Sequence, residues 1–223
     1  MRILTVSDDA ALSGRIAALL RAAGHAVDLV DSECLACSAL GGGGFDLVVL
    51  DLELGDRAGP ALIGRLRQGA CVPPIIALAA GASAEERVLA LNQGADDCVA
   101  APIDLDEVLA RVRVWMRRSL GANDHLVHHG QLTYDTMARA AYVAGEPLRL
   151  SRREASLLEV LLHRPGRFVT KDQLADRLFE WGDDVNLNCI EVYVHRLRKK
   201  LELGPVRIRS ARGQGYLLER AAA

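Results

Sequence analysis

The sequence predicts an α/β fold, a doubly wound five-stranded parallel sheet, followed by a smaller domain of three helices and a terminal β-hairpin. Over residues 1–118, five short apolar runs alternate with five segments of helical period, which is the order of a doubly wound sheet. Residues 1–125 carry 11 Lys+Arg and 17 Asp+Glu, whereas residues 126–223 carry 16 and 12. An acidic part joined to a basic part is typical of a regulatory module beside a module that binds a polyanion.

The composition limits the class of protein. Hydrophobic residues make up 50% of the chain and aromatic residues only 4%, so we expect a large aliphatic core. No run reaches the roughly 18 apolar residues of a membrane span, and the chain opens on a predicted strand rather than a signal peptide. The five cysteines show no zinc-site spacing. We therefore expect a cytoplasmic protein with reduced thiols and no membrane partner.

The elements of the first domain follow from these runs. The predicted strands are Ile3–Val6, Ala26–Val30, Leu47–Leu50, Ile75–Leu78 and Cys98–Ala100. The predicted helices are Ala10–Ala23, Ser32–Leu40, Pro60–Arg67, Ala84–Gln93 and Leu105–Arg118. Gly24 and Gly94 fit the ends of two helices, because glycine readily takes the left-handed conformation found there. The expected arrangement is flavodoxin-like.

Carboxylates follow two of the predicted strands. Asp8 and Asp9 end the run Ile3–Val6, and Asp51 ends the run Phe45–Leu50. The carboxyl ends of neighbouring parallel strands share a crevice, so these side chains should lie close together. Such a group could hold Mg²⁺ and leave one oxygen as a nucleophile.

Residues 119–125 are the predicted linker, because they are polar and lack periodicity, and residues 126–223 are the predicted second domain. The elements predicted there are the strands Gln131–Tyr134, Ala140–Val143 and Leu148–Leu150, the helices Arg152–His163, Lys171–Leu178 and Asn188–Leu201, and the hairpin strands Val206–Arg209 and Tyr216–Leu218. Ser151 with Glu154, and Thr170 with Gln173, match capping boxes. Three helices before a hairpin are the order of a winged helix-turn-helix.

The helix Asn188–Leu201 has two distinct sides. Its apolar stripe consists of Ile190, Val194, Leu197 and Leu201, and the opposite side carries Asn188, Cys189, Val192, His195, Arg196 and Lys199. A helix of this kind fits the major groove of DNA, where Arg and Lys bind phosphates and Asn and Arg read base edges. The hairpin adds Arg209, Ser210 and Arg212 at a glycine-rich tip. The alternative for the helix alone is an ordinary solvated basic surface.

The whole chain resembles a response regulator of the OmpR/PhoB family, a receiver domain followed by a winged-helix DNA-binding domain. The resemblance rests on LSRREASLLE at 150–159, HRPGR at 163–167, VYVHRLRKKL at 192–201 and RGQGY at 212–216. It implies that Asn188–Leu201 is the recognition helix, that Tyr193 joins the DNA-contacting residues, and that Phe179–Leu187 contacts RNA polymerase. His195 replaces the arginine usual in the family. The resemblance also implies binding to tandem half-sites in double-stranded DNA.

The resemblance assigns roles in the first domain as well. Asp51 corresponds to the phosphoacceptor and Asp8 to the main metal-binding acid, with Asp9 as a substitute ligand and Glu53 contributing its backbone carbonyl. Four positions depart from the family pattern: Ser7 replaces an acid, Ala79 replaces a hydroxyl residue, Cys98 replaces an aromatic residue, and Ala101 replaces a lysine. A phosphoryl group on Asp51 would therefore lack two contacts, each worth about 1.5–3 kcal/mol.

These losses predict an atypical receiver that works largely without aspartyl phosphorylation. The alternative is an ordinary two-component regulator, phosphorylated on Asp51 by a histidine kinase. No cofactor is expected to be required, although weak Mg²⁺ binding at Asp8, Asp9, Asp51 and Glu53 fits the acidic cluster.

The family dimerises through its fourth helix, fifth strand and fifth helix. The candidate interface residues in this chain are Arg87, Asp96, Asp97, Glu107, Arg111, Arg113 and Arg117. Asp97 with Arg111 is the preferred pair. Without a phosphorylation signal, we expect the unmodified protein to be a homodimer through this surface.

Two other classes of function compete with this prediction. Cys34 and Cys37 form a CxxC motif and Cys189 lies on the recognition helix, so redox or metal modulation is a lesser alternative. An Asp-dependent phosphatase is disfavoured, because Glu53 occupies the position of its second aspartate and no P-loop or GxGxxG occurs. We therefore do not expect an enzyme.

Overall fold

The computed structural model describes residues 1–57, 59–69, 72–119, 125–179, 187–202, 204 and 206–220. They fall into two compact units: an α/β unit, Arg2–Val112, and a winged-helix unit, Arg113–Ala223, which also includes Met1. Most of the predicted linker (120–124) and most of the predicted polymerase-binding segment (180–186) lie outside the described residues.

The α/β unit contains a five-stranded sheet with the order β2-β1-β3-β4-β5, in which every neighbouring pair is parallel. Its strands are β1 (Arg2–Val6), β2 (Ala26–Val30), β3 (Leu47–Asp51), β4 (Ile75–Ala79) and β5 (Asp97–Ala100). Its helices are α1 (Ala10–Ala22), α2 (Glu33–Gly41), α3 (Leu54–Arg57), α4 (Gly59–Arg67) and α5 (Ala84–Asn92), and the boundary between the two units falls within the last helix, α6 (Leu105–Ser119). The predicted doubly wound parallel sheet is confirmed.

The strands of this sheet are mostly apolar, as expected for a parallel sheet covered on both faces. Every residue of β1, β3 and β4 is buried, which is the pattern of a parallel interior sheet rather than of a one-sided one. One layer of the core includes Leu4, Val48 and Ile75. Gly24 and Gly94 follow the ends of α1 and α5 with φ of +85° and +107°, as predicted.

Two details near the end of β3 were not predicted. The four-residue helix α3 is too short to show a helical period, so no sequence pattern predicts it. A side chain at Gly59 would place its Cβ 2.5 Å from Leu52 Cα, so the chain can return past the strand end only with glycine there.

After the end of α6, the winged-helix unit contains a four-stranded antiparallel sheet in the order β6-β7-β8-β9 and, further along the chain, the hairpin β10-β11. Its strands are β6 (Leu126–His129), β7 (Leu132–Asp135), β8 (Ala140–Val143), β9 (Glu146–Leu148), β10 (Val206–Ala211) and β11 (Gly215–Arg220). Its helices are α7 (Arg152–Leu162), α8 (Lys171–Leu178) and α9 (Asn188–Leu201). The winged helix-turn-helix is confirmed. The strand predicted at Leu148–Leu150 is wrong by two residues, and β6 was missed.

Local sequence signals fix the helices of this unit. Both predicted capping boxes form, with Ser151 accepting from Glu154 N and Thr170 accepting from Gln173 N. The buried stripe of α9, which includes Ile190 and Val194, packs into one core with residues from α7, α8 and the hairpin. No helix among the described residues is long and apolar enough to cross a membrane.

A buried polar contact ties the four-stranded sheet to α7. The hydroxyl of Tyr134 on β7 donates to Glu159 Oε1 at 2.6 Å, and Arg139 Nη2 lies 3.1 Å from Glu159 Oε2. Burial, followed by the neighbouring Glu159 carboxylate, raises the pKa of Tyr134 well above its ordinary value. The tyrosine therefore stays protonated as a donor, and the contact fixes how the sheet packs on the helix.

Candidate functional site

The carboxyl ends of β1 and β3 bring Ser7 and Asp51 together. The Ser7 hydroxyl donates to Asp51 Oδ2 at 2.8 Å, and the backbone N–H of Glu53 donates to Asp51 Oδ1 at 3.0 Å. Asp51 is only 2% exposed and Ser7 only 3%. Both carboxylate oxygens of the candidate phosphoacceptor therefore already have donors from the protein itself.

The other predicted metal ligands point to different partners. Asp9 is the N-cap of α1, where its Oδ1 accepts from Ala11 N at 2.8 Å and Leu12 N at 3.0 Å. Asp8 Oδ2 accepts from Gly55 N at 3.1 Å. Glu53 extends towards Gly81, whose added Cβ would lie 2.1 Å from Glu53 Oε1.

These contacts give the predicted metal-binding carboxylates different partners within the unit, and weak Mg²⁺ binding stays a prediction. Among the described residues, no group of three or more His, Cys, Asp or Glu side chains is placed to hold a metal ion. The set Asp8, Asp9, Asp51 and Glu53 therefore does not assemble into a four-residue site. Asp9 caps α1 and the Glu53 carboxylate reaches towards Gly81, so the closest match to the family's ligands is Asp8, Asp51 and the backbone carbonyl of Glu53.

Ala79, at the end of β4, and Ala101, just after β5, occupy the positions where the family has the hydroxyl residue and the lysine that bind the phosphoryl group. A methyl side chain offers neither a hydroxyl donor nor a cation. Cys98 on β5 is half-buried, and burial raises the pKa of its thiol. We refer to Ser7, Asp8, Asp51, Ala79 and Ala101 together as the receiver pocket.

The elements α5, β5 and α6 carry exposed apolar and charged side chains. Val88 and Leu89 are 56% and 47% exposed, and they border a shallow cavity of about 420 Å³ on α5. Arg111 Nη1 contacts both oxygens of Asp97, at 2.7 and 2.8 Å, and Arg111 Nε donates to Glu107 at 2.9 Å. The preferred pair Asp97–Arg111 thus forms within one chain.

The remaining predicted interface residues are distributed over the same elements. Arg87 on α5 donates to the Ala82 carbonyl at 3.2 Å. Asp96 accepts from Ile75 N at 2.7 Å and pairs with Arg67, so its carboxylate has a role inside its own unit. Arg113 and Arg117 lie further along α6, both half-buried.

The recognition helix α9 presents the predicted polar side outward. Its exposed residues include Asn188, Val192, His195, Arg196 and Lys199, which we call the DNA face. Cys189 and Tyr193, predicted to contact DNA, are half-buried and pack against the core. They flank the DNA face rather than occupy its centre.

Two other cations of α9 are held by the protein. Arg198 Nε donates to the Ile208 carbonyl at 2.9 Å, and Lys200 Nζ lies 2.6 Å from Glu154 on α7. These contacts attach the recognition helix to the hairpin and to α7. Arg198 and Lys200 are therefore engaged within the unit, unlike the exposed basic residues Arg196 and Lys199.

The wing, residues 206–220, carries Arg209, Ser210 and Arg212, all exposed. Gly215 has φ of +104°, and a Cβ there would lie 2.0 Å from the Val169 carbonyl oxygen. The next residue, Tyr216, exchanges backbone hydrogen bonds with Val169 at 2.7 and 2.9 Å. Glycine is thus required where the wing closes onto the chain just before α8.

A cleft of about 590 Å³ lies between the start of α8 and the wing tip. It is lined by Thr170, Lys171, Asp172, Leu187, Ser210, Ala211, Arg212, Gly213, Gly215 and Tyr216. The sequence prediction missed Lys171, because a single lysine at a helix start carries no periodic signal. The free cysteines Cys34 and Cys37 lie exposed on α2, outside both sites.

Comparison with known proteins gives the same two-part organisation. Residues 3–113 match the family described as response regulator receiver domain, and residues 145–218 match the family described as transcriptional regulatory protein, C terminal. The crystal structure of a two-component response regulator from Clostridium difficile has a TM-score of 0.50 and 25% identity, covering 53% of this chain and 97% of that one.

Full-length relatives extend over both units. The response regulator protein PmrA of Pseudomonas aeruginosa is 39% identical, covering 100% of both chains. The transcriptional regulatory protein TctD of Salmonella typhimurium is 37% identical, covering 99% of this chain and 98% of its own. The chain belongs to the OmpR/PhoB family of response regulators, which are DNA-binding transcription regulators rather than enzymes.

Proposed function

We propose that this regulator binds tandem half-sites as a homodimer and works largely without phosphorylation of Asp51. The observation that carries the proposal is the internal hydrogen bonding of Asp51 by Ser7 and Glu53 N. Because both oxygens of Asp51 already accept hydrogen bonds in the unmodified protein, a phosphoryl group on Asp51 would add few new contacts in the pocket.

A signal shifts an equilibrium only by its differential interaction with the active and inactive conformations. The hydroxyl and ammonium that would supply that difference are replaced by Ala79 and Ala101. Each missing charge-assisted contact is worth about 1.5–3 kcal/mol, so most of the driving energy for a phosphorylation switch is gone. Mg²⁺, if bound, would be held by Asp8, Asp51 and the Glu53 backbone carbonyl, and it would neutralise charge there.

The proposed dimer surface is the one formed by α5, β5 and α6. Its charged residues are Arg87, Asp96, Asp97, Glu107, Arg111, Arg113 and Arg117. Exposed Val88 and Leu89 supply an apolar centre beside charges of both signs, which suits a self-complementary two-fold contact. On dimerisation, Arg111 would exchange its bonds to its own Asp97 for bonds across the two-fold axis.

Sedimentation velocity of the untreated protein at micromolar concentration tests the dimer, with mass spectrometry confirming that Asp51 is unmodified. We expect a dimer, and we expect Val88→Glu to give a monomer because it places a charge in the apolar centre. Leu35→Glu is the matched control, since Leu35 is also exposed on the α/β unit but lies on α2. A monomeric wild type would contradict the proposal.

The competing function is an ordinary switch driven by a histidine kinase. Asp51 still lies at the end of β3, so slow phosphorylation by acetyl phosphate is chemically allowed. In the ordinary switch, modification tightens DNA binding and drives dimerisation; in the proposed one, it changes neither. RNA polymerase is the proposed partner at the promoter, contacted by residues 179–187.

A further inference from the structure

An ion pair joins the two helices of the helix-turn-helix motif. The ammonium of Lys171, the first residue of α8, contacts the carboxylate of Glu191 on α9. The two side chains are 38% and 55% exposed. The hydrogen bond to Glu191 raises the pKa of Lys171 above its ordinary value, at which the lysine is already charged at neutral pH.

Lys171 also lines the cleft between α8 and the wing, where Ser210 and Arg212 lie. Two cations and a hydroxyl around one cleft match the donors that bind a DNA backbone phosphate. Arg209, by contrast, lies 3.8 Å from Glu219 on the neighbouring strand of the wing. The cleft therefore gathers its donors from two separate elements, α8 and the wing tip.

The negative charge of Glu191 is unfavourable on a surface that binds DNA. It lies one helical turn from both Asn188 and His195, so it borders the DNA face. An exposed acid next to a polyanion weakens binding unless another contact offsets the repulsion. The pairing with Lys171 supplies such an offset.

We propose that Glu191 is a positioning residue that holds Lys171 in the cleft, where Lys171, Ser210 and Arg212 bind one DNA phosphate. The inference rests on DNA binding by this unit. A lysine has a long flexible stem, and ordering it before binding lowers the entropy lost on contact with the phosphate. Because phosphates carry no sequence information, the effect is the same on any duplex.

The direction in which Glu191→Gln changes DNA affinity distinguishes a positioning role of Glu191 from a purely electrostatic one. Affinity is measured by fluorescence anisotropy of a labelled duplex of mixed sequence over a range of salt concentrations. Glu191→Gln removes a negative charge, so electrostatics alone predicts tighter binding. We expect binding about threefold weaker, with partial recovery in Glu191→Asp. Lys171→Gln should weaken binding and reduce the slope of log affinity against log salt by about 1.

A double-mutant cycle completes the test. In the Lys171→Gln background, Glu191→Gln should give no further loss, because the residue to be positioned is gone. Glu202→Gln is the matched control, since Glu202 is an exposed acid at the end of the same helix, and it should not weaken binding. Glu191→Gln binding as tightly as wild type, or tighter, would overturn the proposal. Failure of the wild type to bind any duplex would instead refute DNA binding itself.

Discussion

The receiver pocket and the DNA face use polar side chains in opposite ways. In the pocket, Asp51 is buried and both its oxygens accept hydrogen bonds from within the unit. On the DNA face, residues such as Asn188, Arg196 and Lys199 are exposed around a buried apolar stripe. The polar groups of the receiver pocket are hydrogen-bonded within the protein, whereas those of the DNA face are exposed and available to a ligand.

The largest expected effect comes from restoring the family's phosphoryl-binding residues in the receiver pocket. Ser7→Asp, Ala79→Thr and Ala101→Lys together restore an acid, a hydroxyl and a cation at the family's positions. Two recovered contacts of about 1.5–3 kcal/mol each should make DNA affinity rise at least tenfold on treatment with BeF₃⁻ and Mg²⁺, measured by gel shift. The same triple variant carrying Asp51→Asn is the control and should not respond. A triple variant as unresponsive as wild type would mean that the pocket has other defects.

The second prediction sharpens the description of the DNA face. Arg212→Ala on the wing should weaken binding to all sequences about equally, whereas Arg196→Ala should also change the preferred base pairs. Each change should cost about 1–3 kcal/mol, or about 5- to 150-fold in affinity. Competition between promoter and random duplexes measures both effects. Equal losses on both duplexes for Arg196→Ala would show that this arginine contacts only phosphates.

The third prediction concerns the closed state of the pocket. Ser7→Ala removes one donor and leaves Asp51 Oδ2 buried without it, which should destabilise the α/β unit by about 1–3 kcal/mol. Urea denaturation of the full chain, monitored by hydrogen exchange, should show that the free energy of unfolding falls in the α/β unit alone. Ser38→Ala, an exposed serine on α2, is the control. An unchanged midpoint for Ser7→Ala would mean that water replaces the hydroxyl without cost.

The smallest expected effect is a pH dependence in the winged-helix unit. Burial alone would raise the pKa of Glu154, but the hydrogen bonds from Lys200 and Ser151 outweigh it and lower that pKa. A carboxyl with a lowered folded pKa stabilises the fold above its unfolded value of about 4.3, and the contribution is lost as pH falls through the folded pKa. Because Lys200 is partly exposed, we expect below about 1 kcal/mol. Thermal unfolding of wild type and Lys200→Met should differ at pH 7 and converge in acid.

The sequence was most informative where a period or a fixed motif specified the structure. The apolar runs located all five strands of the parallel sheet, and the capping boxes located the starts of α7 and α8. It failed where structure depends on single contacts. Capping by Asp9, the reach of Glu53 and the pairing of Lys171 with Glu191 are choices among partners that no spacing reveals. The strand Glu146–Leu148 was misplaced because only cross-strand pairing with β8 defines its ends.

The central claim is that the closed pocket and the open DNA face are uncoupled. The most direct measurement is the DNA affinity of the wild-type protein and of Asp51→Asn, each with and without BeF₃⁻ and Mg²⁺, on a duplex carrying two half-sites. The account predicts four affinities that agree within about twofold, because nothing in the pocket reads the added group. A wild type that binds at least tenfold more tightly after treatment, while Asp51→Asn does not, would contradict it.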